Sequence, residues 1–171
     1  LLVVQTFSKS HSMAGMRIGF AMGHPDLIRA LNNVKYSYNS YTMNLPSLLA
    51  GVEAVKDKAY FESTLAKIVA TRERSKKRLA ELGFTFPDSR SNFIFASHES
   101  VPAEKIFEAL KKEQIYVRYF KTPGLDNSLR ISIGTDEEMD TLFRFLEAYL
   151  PNAYCVMQEH HLLTMAGVTS P

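Results

Sequence analysis

The chain has 171 residues, of which 46% are hydrophobic and 22% charged, with a formal net charge of +2. That is enough apolar material for a sizeable core, and Lys and Arg are too evenly spread to form a nucleic-acid-binding arm. No apolar run approaches the roughly 20 residues of a membrane helix, and the single cysteine, Cys155, excludes a disulfide framework and fits a reducing cytoplasm.

Residues 1–6 are a short Val-rich run that reads as a buried parallel strand. They have neither the basic start nor the cleavage site of a secretory leader. A chain that opens inside a core strand, without an initiator Met, reads as cut from something longer. A small polar loop follows at Ser8–Ser12, then a second strand over Arg17–Gly23. Pro25 suits the first turn of a helix with Leu27, Ile28 and Leu31 on one face. The polar and aromatic stretch Tyr36–Asn44 reads as a loop. Asn44 then caps a helix that carries Pro46 near its start and Leu48, Leu49, Val52 and Val55 at helical spacing. Residues 59–82 form one long amphipathic helix, with Gly83 as its terminator.

Beyond Gly83 the pattern changes to strand 91–97, helix 102–113, strand 115–120, turn 122–127, strand 129–134 and helix 136–149. That order predicts a small α+β unit. The fold class expected is therefore α/β, in four parts. Residues 1–57 are the end of a large, mainly parallel sheet domain, and 58–83 are a connecting helix. Residues 84–150 are a small α+β domain, and 151–171 are a tail of uncertain origin in which the pattern fades. There is no Gly-x-Gly-x-x-Gly and no Walker loop. Glu159-His160-His161 is not a His-Glu-x-x-His metal motif, so no metal site is expected.

The chemically informative segment is residues 6–19. Lys9 follows directly from a strand into a loop of small, hydroxylated residues, and Arg17 opens the next strand eight positions on. A lysine that forms an imine needs a lowered pKa, and a phosphate needs hydroxyl donors with a fixed guanidinium. Thr6, Ser8 and Ser10 offer the hydroxyls and Arg17 the guanidinium. An isolated lysine is ordinarily a solvated surface residue; the surrounding 14 residues argue for catalysis. Arg130 stands among Leu129, Ile131 and Ile133, and a buried head there needs an anionic partner, whether a ligand or a structural ion pair. Arg118 reads either as an anion ligand or as a surface arginine on an edge strand.

The run Thr-Phe-Ser-Lys-x-x-x-Met-Ala-Gly-Met-Arg-x-Gly at 6–19 resembles the signature of fold-type I, pyridoxal-phosphate-dependent aminotransferases of classes I and II. It is most similar to their histidinol-phosphate aminotransferase branch, and to the C-terminal part of it. Ile115-Tyr-Val-Arg118 and Leu129-Arg-Ile-Ser-Ile-Gly134 resemble two further family strands, and Ser91-Asn92-Phe93 a third that is mainly structural. The resemblance implies that Lys9 holds pyridoxal 5'-phosphate as a Schiff base. It also implies that Thr6, Ser8 and Arg17 bind the cofactor, and that Arg118 and Arg130 bind the anionic substrate. His11 departs from the family pattern and is expected to be a loop variant, not a base. The aspartate, the stacking aromatic and the tyrosine that complete such a site are implied to precede Lys9, so this piece alone would be inactive.

The activity implied is transamination of histidinol phosphate, the amino donor, with 2-oxoglutarate, a 2-oxo acid acceptor, by a cytoplasmic homodimer without nucleic-acid or membrane partners. The alternatives are another fold-type I aminotransferase acting on aromatic amino acids, a related threonine-phosphate decarboxylase, or an inactive truncated remnant.

Overall fold

The computed structural model describes residues 1–165, with side chains to Ala153. Cys155 and the Glu159–His161 cluster lie outside the residues whose side chains are described. The chain divides into two compact units, residues 1–66 and 67–171, with the division inside a long helix.

In the first unit, β1 (Leu2–Thr6) pairs with β2 (Gly19–Gly23), and Leu2 stands opposite Gly23 and Thr6 opposite Gly19. The pairing is antiparallel, which corrects the expected parallel strand. The residues between Thr6 and Gly19 are spent on one turn of helix, α1 (Phe7–Ser10), and a 3-10 turn at Ala14–Met16. They contain no crossover helix of the kind a parallel return needs. Nor is β1 buried, since Val4 is 71% exposed. Apolar, β-branched composition reported strand propensity here, not direction or cover.

Helix α2 (Pro25–Tyr38) starts where Pro25 placed it, with His24 Nδ1 accepting the Asp26 N–H. It runs on through Tyr36–Tyr38, where a loop was expected. Extending a nucleated helix is cheap even for weak helix formers. Helix α3 (Leu45–Lys56) is capped as its sequence implies, the Asn44 side chain accepting the Ser47 N–H at 2.8 Å. Helix α4 (Lys58–Glu81) is followed by Gly83 at φ +81°, a left-handed conformation that glycine adopts without steric cost.

In the second unit four antiparallel strands lie in the order β3 (Phe84–Thr85), β4 (Phe93–His98), β6 (Leu129–Ser132), β5 (Arg118–Tyr119). Ile94 and Ala96 of β4 and Leu129 and Ile131 of β6 turn into the core. They meet Ile106 and Leu110 of α5 (Ala103–Lys112), Met139, Leu142 and Leu146 of α6 (Asp136–Met165), and Leu79 near the end of α4. Strand β5 is shorter than expected. Gln114 takes a left-handed turn (φ +60°) and the Ile115 N–H bonds back to Leu110, so pairing begins only at Arg118. Helix α6 passes through Pro151, where the sequence pattern faded. Ion pairs also join α4 to α6: Arg74 to Asp136 and Asp140, and Arg78 to Glu147.

His98 ends β4 and organises the turn into α5. Its Nδ1 accepts the N–H groups of Ser100 (3.1 Å) and Val101 (3.0 Å), and its ring meets Phe84 edge-on at 5.0 Å. Burial pushes its pKa below the ordinary histidine value, against smaller upward pulls from the Leu82 backbone and Glu99. The unfolded chain therefore binds this proton more readily. The stabilisation from neutral His98 is complete above about pH 6.5, the unfolded value, and is lost as pH falls through it toward the lower folded value. Asn Oδ1 can accept the same two N–H groups without titrating. Urea unfolding followed from pH 8 to pH 5 should show a steeper loss of stability for the wild type than for His98→Asn; parallel curves would refute this role.

Candidate active site

The lysine loop is built by hydrogen bonds that fold residues 6–18 back on themselves. Thr6 caps α1, its Oγ1 accepting the Ser8 N–H at 3.1 Å, and its hydroxyl lies 2.8 Å from Ser8 Oγ. The Ile18 carbonyl accepts from the Phe7 N–H at 3.1 Å. These bonds hold the segment bearing Thr6, Ser8 and Lys9 beside the segment bearing Arg17. From the other side, Ser47 at the start of α3 is buried and donates to the Met16 carbonyl at 2.9 Å. Gly51, one turn on, leaves room for the Ile18 side chain. Ser47 is a supporting residue that sequence reasoning missed. Only its place in the first turn of a capped helix hinted at it.

Arg17 is left-handed (φ 56°, ψ 42°), which costs a residue with a Cβ about 1 kcal/mol or more. One of its guanidinium nitrogens donates to the Ala14 carbonyl at 3.0 Å, and the side chain is exposed. Among the described residues it has no carboxylate partner within ion-pair distance. Lys9 is exposed as well. Two hydroxyls and an uncompensated guanidinium suit a phosphate group, and a primary amine beside them suits an aldehyde. This donor set fits a phosphorylated aldehyde cofactor. His11 is used for packing: its ring lies 4.6 Å from Phe7 and stacks on Phe61 at 4.9 Å, and Ser10 Oγ sits 2.9 Å from its Nδ1.

The second unit holds the other two arginines. Arg118 and Arg130 are directly opposite across β5 and β6, and Phe95 is opposite Arg130 on its other side. The Arg130 head is not buried among Leu129, Ile131 and Ile133, so the condition under which it would need an anionic partner is not met. The strand period of two turns Leu129 and Ile131 inward and Arg130 outward. Both arginines are exposed, and among the described residues neither has a carboxylate within ion-pair distance. Like charges facing across a strand pair repel, and two opposed guanidiniums present N–H groups of the kind that suit an anion.

Residues 1–146 match the family model for aminotransferases of class I and II. The chain is 53% identical over 152 residues to a histidinol-phosphate aminotransferase of Brachyspira hyodysenteriae, covering 89% of this chain and 43% of that protein. It is 55% identical over 139 residues to one from Clostridium acetobutylicum, covering 81% and 40%. Among solved structures, a histidinol-phosphate aminotransferase from Clostridium acetobutylicum superposes with a TM-score of 0.80 at 26% identity, over 89% of this chain and 46% of that one. One from Sinorhizobium meliloti, in complex with pyridoxal-5'-phosphate, gives 0.72 at 27%, over 91% and 41%. The chain belongs to the class I and II aminotransferase family and has part of its fold. It spans about two-fifths of the length of the curated relatives it matches.

Relieving the opposed charges should stabilise the second unit. Arg118→Gln is expected to raise the unfolding midpoint in low-salt, phosphate-free buffer. Added inorganic phosphate should then stabilise the wild type more than the variant. A midpoint lowered by the substitution would mean that attraction to the Phe120 ring, 5.4 Å away, outweighs the repulsion from Arg130.

Proposed function

We propose that the whole protein is a pyridoxal-phosphate-dependent aminotransferase that moves the amino group of histidinol phosphate to 2-oxoglutarate, as a cytoplasmic homodimer. In this reading residues 1–57 belong to the cofactor-binding large domain, 58–83 connect it to the rest, and 84–150 form the small domain. The single observation that carries the proposal is the lysine loop, where Lys9 stands in a hydroxyl-lined turn hydrogen-bonded against the segment of Arg17. About 50% identity to histidinol-phosphate aminotransferases supports the substrate, and so does a pair of arginines facing each other, which suits a phosphorylated group.

Arg17, with the hydroxyls of Thr6 and Ser8, would hold the cofactor phosphate, and Lys9 would hold the cofactor covalently. When bound, the cofactor withdraws electrons from the substrate carbon that bears the amino group. The part of this chain is then proton handling and orientation. Lys9 Nζ, when free, would act as the base that takes a proton from that carbon and as the acid that gives it back, and its fixed place in the loop would supply proximity. Arg118 and Arg130 grip the substrate's anionic end and so set which face of that carbon Lys9 meets. The loop amine serves two half-reactions in turn, which is ping-pong behaviour.

Borohydride reduction of the full-length protein with cofactor, followed by peptide mapping, should place a single pyridoxyl group on Lys9. Lys9→Ala should lower kcat by about 10²–10⁴-fold or more, with the far-UV spectrum unchanged. Label spread over surface lysines, or a Lys9→Ala enzyme with near-normal turnover, would sink the assignment.

A further inference from the structure

The open face of the β4–β6–β5 sheet carries more than its two arginines. The ring centre of Phe93 lies 5.6 Å from the Arg130 guanidinium carbon, and that of Phe120 lies 5.4 Å from the Arg118 guanidinium carbon. Both are within the roughly 6 Å over which the negative face of an aromatic ring attracts a cation. The strands impose this placement. Phe93 pairs with Ser132 and is therefore diagonal to Arg130, two residues along β6. Phe120 follows β5 directly, and its ring lies beside the Arg118 guanidinium. Phe95, directly opposite Arg130, meets Phe120 edge-on at 6.4 Å and ties the two ring–guanidinium pairs together.

All three rings are half-buried and stand outside the buried core cluster. Among the described residues nothing else restrains the two guanidiniums, since neither makes a hydrogen bond or an ion pair to a side chain or carbonyl. Two arginines side by side repel, and left alone each would swing into solvent. A carboxylate partner would restrain them but would cancel the charge the site needs. A ring face restrains a guanidinium and leaves its positive charge and its N–H fork available. We propose that Phe93 and Phe120 are positioning residues: each ring holds one guanidinium in place, so that Arg118 and Arg130 close together on a single phosphate-type dianion of the substrate. The inference rests on the reading of this face as the substrate-anion site. It adds that the aromatic pair organises the two arginines beforehand, which lowers the ordering cost of binding.

The test uses the full-length protein with cofactor bound, so that the cofactor-phosphate site is filled, and inorganic phosphate as the probe in calorimetric titrations. Phe93→Leu and Phe120→Leu should each weaken phosphate binding by about two- to fivefold. Tyr at either position, which keeps the ring, should restore it. The KM for the phosphorylated amino donor should rise by the same factor, with a smaller change in kcat. Phe107→Leu should leave phosphate binding unchanged, because that ring lies against Tyr119 and the core. Leucine variants that bind phosphate like the wild type, or tyrosine variants as weak as leucine, would overturn the role. So would an Arg118→Ala/Arg130→Ala double variant that still binds phosphate as tightly as the wild type. If phosphate binding depends on the rings as stated but the wild type fails to transaminate the phosphorylated donor, the positioning role stands and the proposed reaction falls.

Discussion

Alternation along a single short strand governs the second unit. In β6, Leu129 and Ile131 enter the core while Arg130 and Ser132 face away from it. Because the core residues are fully buried, the register cannot slip by one without driving a guanidinium into the hydrophobic cluster and two aliphatic side chains into water. The position of Arg130 is thus held by the packing of its neighbours, and the pairing of β5 with β6 extends the same certainty to Arg118. Hydrophobic burial on one face sets the electrostatics of the other.

The first unit uses a different device. No buried strand positions Lys9. A connection too short for a crossover is folded tightly by hydrogen bonds from Thr6, Phe7 and Ser47 to Ser8, Ile18 and Met16. Polar side chains bonding to nearby backbone can fix a loop as firmly as a ladder does, provided each bond is sheltered on one side. Buried Ser47 shelters its own bond to the Met16 carbonyl on the α3 side, whereas the Thr6–Ser8 bonds are exposed.

Local signals were legible in the sequence. The Asn44 cap, the Pro25 start, the Gly83 stop and the amphipathic pattern of α5 depend on residues within one or two turns of each other, and the structure has all four. The small α+β unit was legible because its strands and helices alternate cleanly. What escaped depends on partners distant in the chain. The direction of β1 depends on how residues 7–18 are used, and the end of α2 on helix propagation through Tyr36 and Tyr38. The length of β5 depends on a left-handed Gln114 that nothing in its neighbourhood announces. In the site, residues 6–17 stood out as a motif. The opposition of Arg118 and Arg130 did not, because register is a property of two strands and is not written in either one. Phe93 was read as structural for the same reason: its relation to Arg130 crosses from β4 to β6.

Arg17 is where two demands on one residue conflict. Its backbone stands in the left-handed region, where glycine would be relaxed and arginine is strained. Glycine at position 17 would ease the chain and remove the cation in the same step. Lysine would keep the strain and a charge but lose the planar fork. Screens that select only for thermal stability should therefore drift toward glycine here, and, on the proposed reading of Arg17 as a phosphate ligand, screens that select for cofactor binding should drift back.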